Sequence, residues 1–236
     1  MNVALRTSAF GSLAVALVAV TGAAWWLRVQ LQLSPRFPAL VAIVFVAAML
    51  LAIGALAAAH PFDRFGPANQ ATTLRVAAVA IVAGFLFERP TPDLAAAAAA
   101  VAVFAAILDG LDGWLARSSR MSSAFGARFD LEVDALLIMA LATLAWQHDK
   151  AGAWILLSGL LRYLFITGGF VWYWLRQPLP PSLRRQAICV IQVLGLIVAV
   201  LPVVRPPVST IVAAASLAIL CYSFLVDTLW LWRNAP

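Results

Sequence analysis

Long apolar runs broken by short polar punctuation dominate this chain. Eight runs are each close to the ~20 residues that a helix needs to cross a bilayer. They lie at approximately 8–28, 37–59, 70–87, 93–115, 127–147, 152–175, 186–204 and 207–231. The segments between them carry proline, charge or both: Pro35-Arg36, His60 to Arg64, Arg89-Pro90, His148-Asp149-Lys150, Arg176 to Arg185, and Arg205-Pro206-Pro207. Runs of this length with such breaks predict an all-α, polytopic membrane helical bundle. The first run follows Arg6 and ends at Trp25, Trp26, Leu27 and Arg28. That is an interfacial end rather than a cleavage site, so a retained helix is expected. The alanines from Ala95 to Ala100 read as packing, because small residues let helices approach closely in lipid.

Composition agrees. Hydrophobic residues make up 64% and charged residues 11% of the 236, against about 25% charged in soluble domains. One water-facing core cannot hide so much apolar surface. The net charge of +6 is carried almost wholly by arginine, Lys150 being the only lysine. With eight spans both termini share one side. That side collects Arg6, Arg64, Arg75, Arg117, Arg120, Arg128, Arg176, Arg184, Arg185 and Arg233; the other has Arg28, Arg36, Arg89, Lys150 and Arg205. The asymmetry predicts cytoplasmic termini in a membrane, with a bacterial inner membrane the expected location. No basic stripe is interleaved with aromatics, so nucleic acid is not an expected partner. Cys189 and Cys221 lack CxxC partners, and His60 and His148 stand alone, so neither a disulfide framework nor a zinc site is expected.

The exception to the apolar pattern is a stretch holding half of the ten acidic residues: Asp109, Asp112, Asp130, Glu132 and Asp134. Asp109 and Asp112, three apart, share one helix face; Asp130 and Asp134, four apart, share a face of the next. The short linker makes the two helices antiparallel neighbours, so the two pairs can face each other. Asp109 would lie roughly 12 Å below the helix end at Arg117, near the membrane interface. Four converging carboxylates repel unless neutralised. Hard divalent cations are their natural counter-charge, and a pair of such ions suits phosphoryl chemistry. Gly110 and Gly113 fit close approach of a ligand to the backbone, and Arg117 can pair with phosphate. Two other readings use the same acids: ion pairs with Arg117, Arg120 and Arg128, or the cation site of a membrane transporter. Against a transporter, the acids cluster near one membrane face and no matched pair of broken helices marks an inverted repeat.

The pattern Asp109-x-x-Asp112-Gly113-x-x-Ala116-Arg117, eight residues, Gly126-x-x-x-Asp130-x-x-x-Asp134 resembles the signature of the CDP-alcohol phosphotransferases. Pro67 to Arg75, with Asn69 and Thr72, resembles the same family's entry to its first core helix, with one residue inserted between Pro67 and Asn69. The resemblance implies a six-helix core at 63–236, preceded at 1–62 by two helices about which it says nothing. It implies that Asp109, Asp112 and Asp130 bind two divalent cations, Mg²⁺ or Mn²⁺. Asp134 would complete that metal site and act as general base. Gly113, Ala116, Arg117 and Gly126 would shape the nucleotide pocket, with Asn69 and Thr72 as further nucleotide contacts. For those two, a helix N-terminal cap is an equal reading. The implied reaction moves a phosphatidyl group from a CDP-linked lipid such as CDP-diacylglycerol to a small alcohol, releasing CMP. Substrates and membrane lipid are the implied partners, with a homodimer as the implied assembly.

The acceptor is less legible. Arg162 lies inside the sixth run, where a lone arginine is expensive, and Arg184 and Arg185 begin the seventh. Facing the carboxylates, these three could hold a phosphorylated acceptor such as glycerol 3-phosphate. Arg184 and Arg185 read equally well as interfacial anchors. Tyr163 follows Arg162 where relatives acting on glycerol 3-phosphate often have Glu, which leaves inositol phosphate, serine and other alcohols as alternatives.

Overall fold

A computed structural model describes residues 3–59, 67–118 and 124–234, with side chains described for 11–52, 69–111 and 126–234. It contains α1 (Val3–Leu31), α2 (Phe37–Ala59), α3 (Pro67–Phe85), α4 (Pro92–Ser118), α5 (Ala124–Gln147), α6 (Leu157–Val171), α7 (Leu183–Val200) and α8 (Val208–Arg233). Short 3₁₀ turns at Ala153–Leu156 and Tyr173–Arg176 flank α6. No strand occurs among the described residues. Among the described residues the eight apolar runs thus become eight helices, and the chain is an all-helical bundle of the polytopic membrane type. Residues 11–31, 92–111, 153–171, 183–200 and 208–233 are long and apolar enough to span a bilayer, with a shorter apolar stretch at 37–52. Neither α3 nor α5 is among them. Both carry the polar residues of the candidate site, Asn69 to Arg75 on one and Arg128 to Asp134 on the other.

Local chemistry sets the helix ends. Pro67 and Pro92 occupy first-turn positions, where a missing N–H is harmless. Thr91 Oγ1 accepts the Leu94 N–H at 3.2 Å and so caps α4. α1 stops at Gln32 (φ 53°) and α5 at Asp149 (φ 55°). After each, an N–H returns to a carbonyl five residues back: Leu33 to Arg28 at 3.0 Å, Lys150 to Ala145 at 2.8 Å. These are left-handed helix stops made without glycine.

The chain divides into two compact units, Met1–Leu137 and Ile138–Pro236. In the first, α3 packs against α4, α2 and α1. The α4 side of that contact is alanine: Ala95, Ala98, Ala99, Ala102 and Ala105 are buried at helical spacing. Phe37 stacks on Phe85 with centroids 5.2 Å apart. The Ser34 Oγ and N–H both donate to the Glu88 carboxylate, at 2.6 and 3.0 Å. The two N-terminal helices are therefore joined to α3 and to the turn after it by stacking and by a charge-assisted pair.

In the second unit α7 and α8 form the main pair. Gly195 lets them close, since a Cβ there would meet Ser216 Cβ at 2.7 Å. Lys150 ties the loop after α5 to the turn between α7 and α8. Its Nζ donates to the carbonyls of Leu201 (3.0 Å) and Val204 (2.6 Å), and its own carbonyl accepts from Ser209 and Thr210. Arg176 donates from Nε to the Gly169 carbonyl at 2.5 Å and lies over Phe170, closing the end of α6. Leucine, isoleucine, valine and phenylalanine side chains such as Ile43, Leu51, Ile107, Phe170 and Ile211 remain exposed along the helices. An outward apolar face is what lipid requires.

Candidate active site

The site is built within the first unit, on α3, α4 and the part of α5 that belongs to it. Asp109 stands near the C-terminal end of α4. Asp130 and Asp134 stand one turn apart on α5. One carboxylate oxygen from each lies within 4.8 Å of the other two. The pair on α5, four residues apart, therefore converges with Asp109 of α4; the side chain of Asp112, the fourth acid of the expected set, lies outside the described residues. The three differ in access: Asp109 is 32% exposed, Asp130 38% and Asp134 16%. Asp134 is the deepest and is the acid best shielded from bulk water.

The cation facing them is Arg75. It projects from α3, is 1% exposed, and donates through Nη1 to Asp109 Oδ1 at 2.9 Å and to Asp130 Oδ1, and through Nη2 to Asp134 Oδ1. By its place in the sequence Arg75 belongs with the charges that orient the chain. It is instead a buried helical residue whose charge is used against the three acids. A signal was present: a lone arginine inside an apolar run must find a partner, and Arg75 lies on one stripe with Thr72 and Asn69, three residues apart. All three are buried. Asn69 falls within the first turn of α3, which begins at Pro67, so it does not occupy the position before the helix that an N-cap requires. Its carbonyl accepts from Thr73 Oγ1 at 2.8 Å.

Asp112, Gly113, Ala116 and Arg117 lie on the last turns of α4, and Gly126 on the first turn of α5. The side chains of the first four fall outside the described residues. At Gly110, beside Asp109, an added Cβ would meet nothing within 4 Å among the described residues.

Three carboxylates against one guanidinium leave negative charge in excess. Hard oxygen donors converging from two helices are the set that Mg²⁺ or Mn²⁺ prefers, and softer metals are not. The residues thus fit a divalent cation.

A second charged cluster lies in the other unit. Arg184 Nη2 meets Asp227 Oδ1 at 2.5 Å, and Arg185 Nη1 meets the same oxygen at 3.3 Å. Arg184 Nη1 also donates to the carbonyl and hydroxyl of Ser223, at 2.9 and 3.1 Å. Asp227, which no sequence pattern singles out, is the shared partner of both arginines. Arg162 lies within α6.

No curated protein and no solved structure matches this chain. The family model for CDP-alcohol phosphatidyltransferase matches residues 65–222, more than half of the chain. That stretch begins just before α3, ends within α8, and contains Arg75 and every acid of the triad. With the signature intact at each fixed position and three of its carboxylates converging in space, the chain belongs to the CDP-alcohol phosphatidyltransferase family.

Proposed function

We propose that this protein transfers a phosphatidyl group from CDP-diacylglycerol to the hydroxyl of a small polar alcohol, with release of CMP. The family supports the transferase class and the CDP-alcohol donor in general. The observation that carries the finer reading is the meeting of Asp109, Asp130 and Asp134 oxygens within 4.8 Å, with Asp109 nine residues inside the C-terminal end of the apolar helix α4. At that depth a substrate can keep its acyl chains in lipid and its cytidine in water.

Asp109, Asp112, Asp130 and Asp134 would hold two divalent cations. Bound there, such ions neutralise the pyrophosphate and stabilise the leaving phosphate. Asp134, the least exposed of Asp109, Asp130 and Asp134, would take the proton of the acceptor hydroxyl. The acceptor oxygen then forms a bond to the lipid-side phosphorus while the bond from that phosphorus to the bridging oxygen breaks, and CMP leaves with the electron pair. Gly113, Ala116, Arg117, Gly126, Asn69 and Thr72 would surround the nucleotide. In this reading residues 63–236 are the catalytic core, 1–62 are an addition to it, and the active site opens to the cytoplasm.

For the acceptor we propose a phosphorylated alcohol, glycerol 3-phosphate first and inositol phosphate second, bound by Arg162, Arg184 and Arg185. Asp227 neutralises only one of the two charges on Arg184 and Arg185, and the surplus sits at the positive N-terminal end of α7. The transporter reading draws on the same acids but leaves the nucleotide-binding half of the signature without a purpose. The test is CMP release from CDP-diacylglycerol by the purified protein with Mg²⁺ or Mn²⁺ and a panel of alcohols. Absence of CMP with every acceptor would refute the transferase reading.

A further inference from the structure

Arg75 satisfies every member of the carboxylate triad with one side chain. Its two terminal nitrogens meet Oδ1 of Asp109, of Asp130 and of Asp134. Each of these residues has one oxygen in the converging set that could ligate a cation. The guanidinium is 1% exposed and cannot shed its charge to water, and arginine cannot relieve burial by deprotonation. Its attachment to the acids is therefore what makes its place in α3 tolerable. Conversely, three acids at this spacing repel one another without a cation among them.

From this we propose that the Arg75 guanidinium and a divalent cation are competing partners of the triad. Arg75 is a built-in counter-cation. It holds α3, α4 and α5 together before metal arrives and yields oxygens to the metal on loading. The inference rests on the reading of these acids as the metal ligands. Two consequences follow. The fold of the first unit does not depend on metal, unlike small metal domains whose folding free energy is the binding free energy. Metal affinity is set below what the bare acids would give, because a positive charge already occupies them.

The experiment uses the full-length protein in nanodiscs, with Mn²⁺ as the probe and free Mn²⁺ read by electron paramagnetic resonance. Arg75→Gln should bind Mn²⁺ at least fivefold more tightly than the unsubstituted protein. Arg75→Lys keeps the charge but cannot fork to three acids, and should fall between. In parallel, thermal unfolding in EDTA should come at lower temperature for Arg75→Gln, and saturating Mn²⁺ should restore it to the unsubstituted value. Unchanged or weaker Mn²⁺ binding in both variants would overturn the proposal. A loss of thermal stability that Mn²⁺ does not repair would also overturn it, because it would make Arg75 a packing residue only. If Arg75→Gln does not fold, Arg75→Lys alone decides: equal or weaker affinity than the unsubstituted protein counts against the proposal. Lack of saturable Mn²⁺ binding in the unsubstituted protein would remove the metal-ligand reading itself, a different outcome from binding that Arg75 does not affect.

Discussion

Arg184 of α7 reaches Asp227 of α8 at 2.5 Å, and the same carboxylate oxygen also serves Arg185 at 3.3 Å. Two guanidiniums on one acid fix the start of α7 against the end of α8 and leave one positive charge over. Arg185 makes the longer contact with Asp227. If the surplus receives a phosphorylated acceptor, Arg185→Gln raises its KM about tenfold, the equivalent of losing roughly 1.5 kcal/mol of charge-assisted hydrogen bonding. Kinetics with inositol phosphate and inositol side by side check this, since only the phosphorylated alcohol should be affected.

Asp134→Asn removes the proposed base while keeping size and polarity. Turnover should fall by roughly 10²–10⁴-fold, the usual worth of general base catalysis, with binding of CDP-diacylglycerol still measurable. Single-turnover CMP release and a lipid-binding titration separate the two. Undiminished turnover would remove Asp134 from the base role.

Two glycines should respond in opposite ways. At Gly159 an added Cβ would lie 2.8 Å from the Met139 Cα, a backbone atom that cannot swing aside. Gly159→Ala should lower stability by about 1–3 kcal/mol through overpacking. Among the described residues nothing stands within 4 Å of a Cβ added at Gly110. Gly110→Ala should hold or raise stability, since alanine favours a helix by about 1 kcal/mol over glycine. If a ligand approaches there, activity falls all the same. Thermal melts with CMP-release assays on both variants distinguish the cases.

Burial pushes the His148 imidazole below its usual 6.5, and the Lys150 charge beside it adds to this against a smaller opposing effect of Asp149. The folded state therefore binds this proton less readily than the unfolded state. Below pH 6.5 the unfolded chain holds more protons, so stability falls as pH drops from 6.5 through the lower folded value and is regained above 6.5. Melting temperatures between pH 8 and pH 5 should show that decline, and His148→Gln should flatten it. A decline of the same size in the variant would assign the effect to another group.

Much of the architecture was legible in the residues alone. Five of the apolar runs have a length that suits a bilayer, and the proline, charged and left-handed boundaries of the runs are local. The eight helices therefore follow from patterns that any one segment carries by itself. The acids were legible for the same reason, since i, i+3 and i, i+4 spacing fixes a shared face without reference to any partner. Neither property says which face of one helix meets which face of another. Arg75 is 34 residues from Asp109 and 59 from Asp134 in the sequence, and its charge looked like loop charge until the packing of three helices placed it among the carboxylates. The Arg184–Asp227–Arg185 cluster was hidden likewise, its members lying on different helices. Helical periodicity is a property of one segment; the pairing of buried charges belongs to the helices that enclose them.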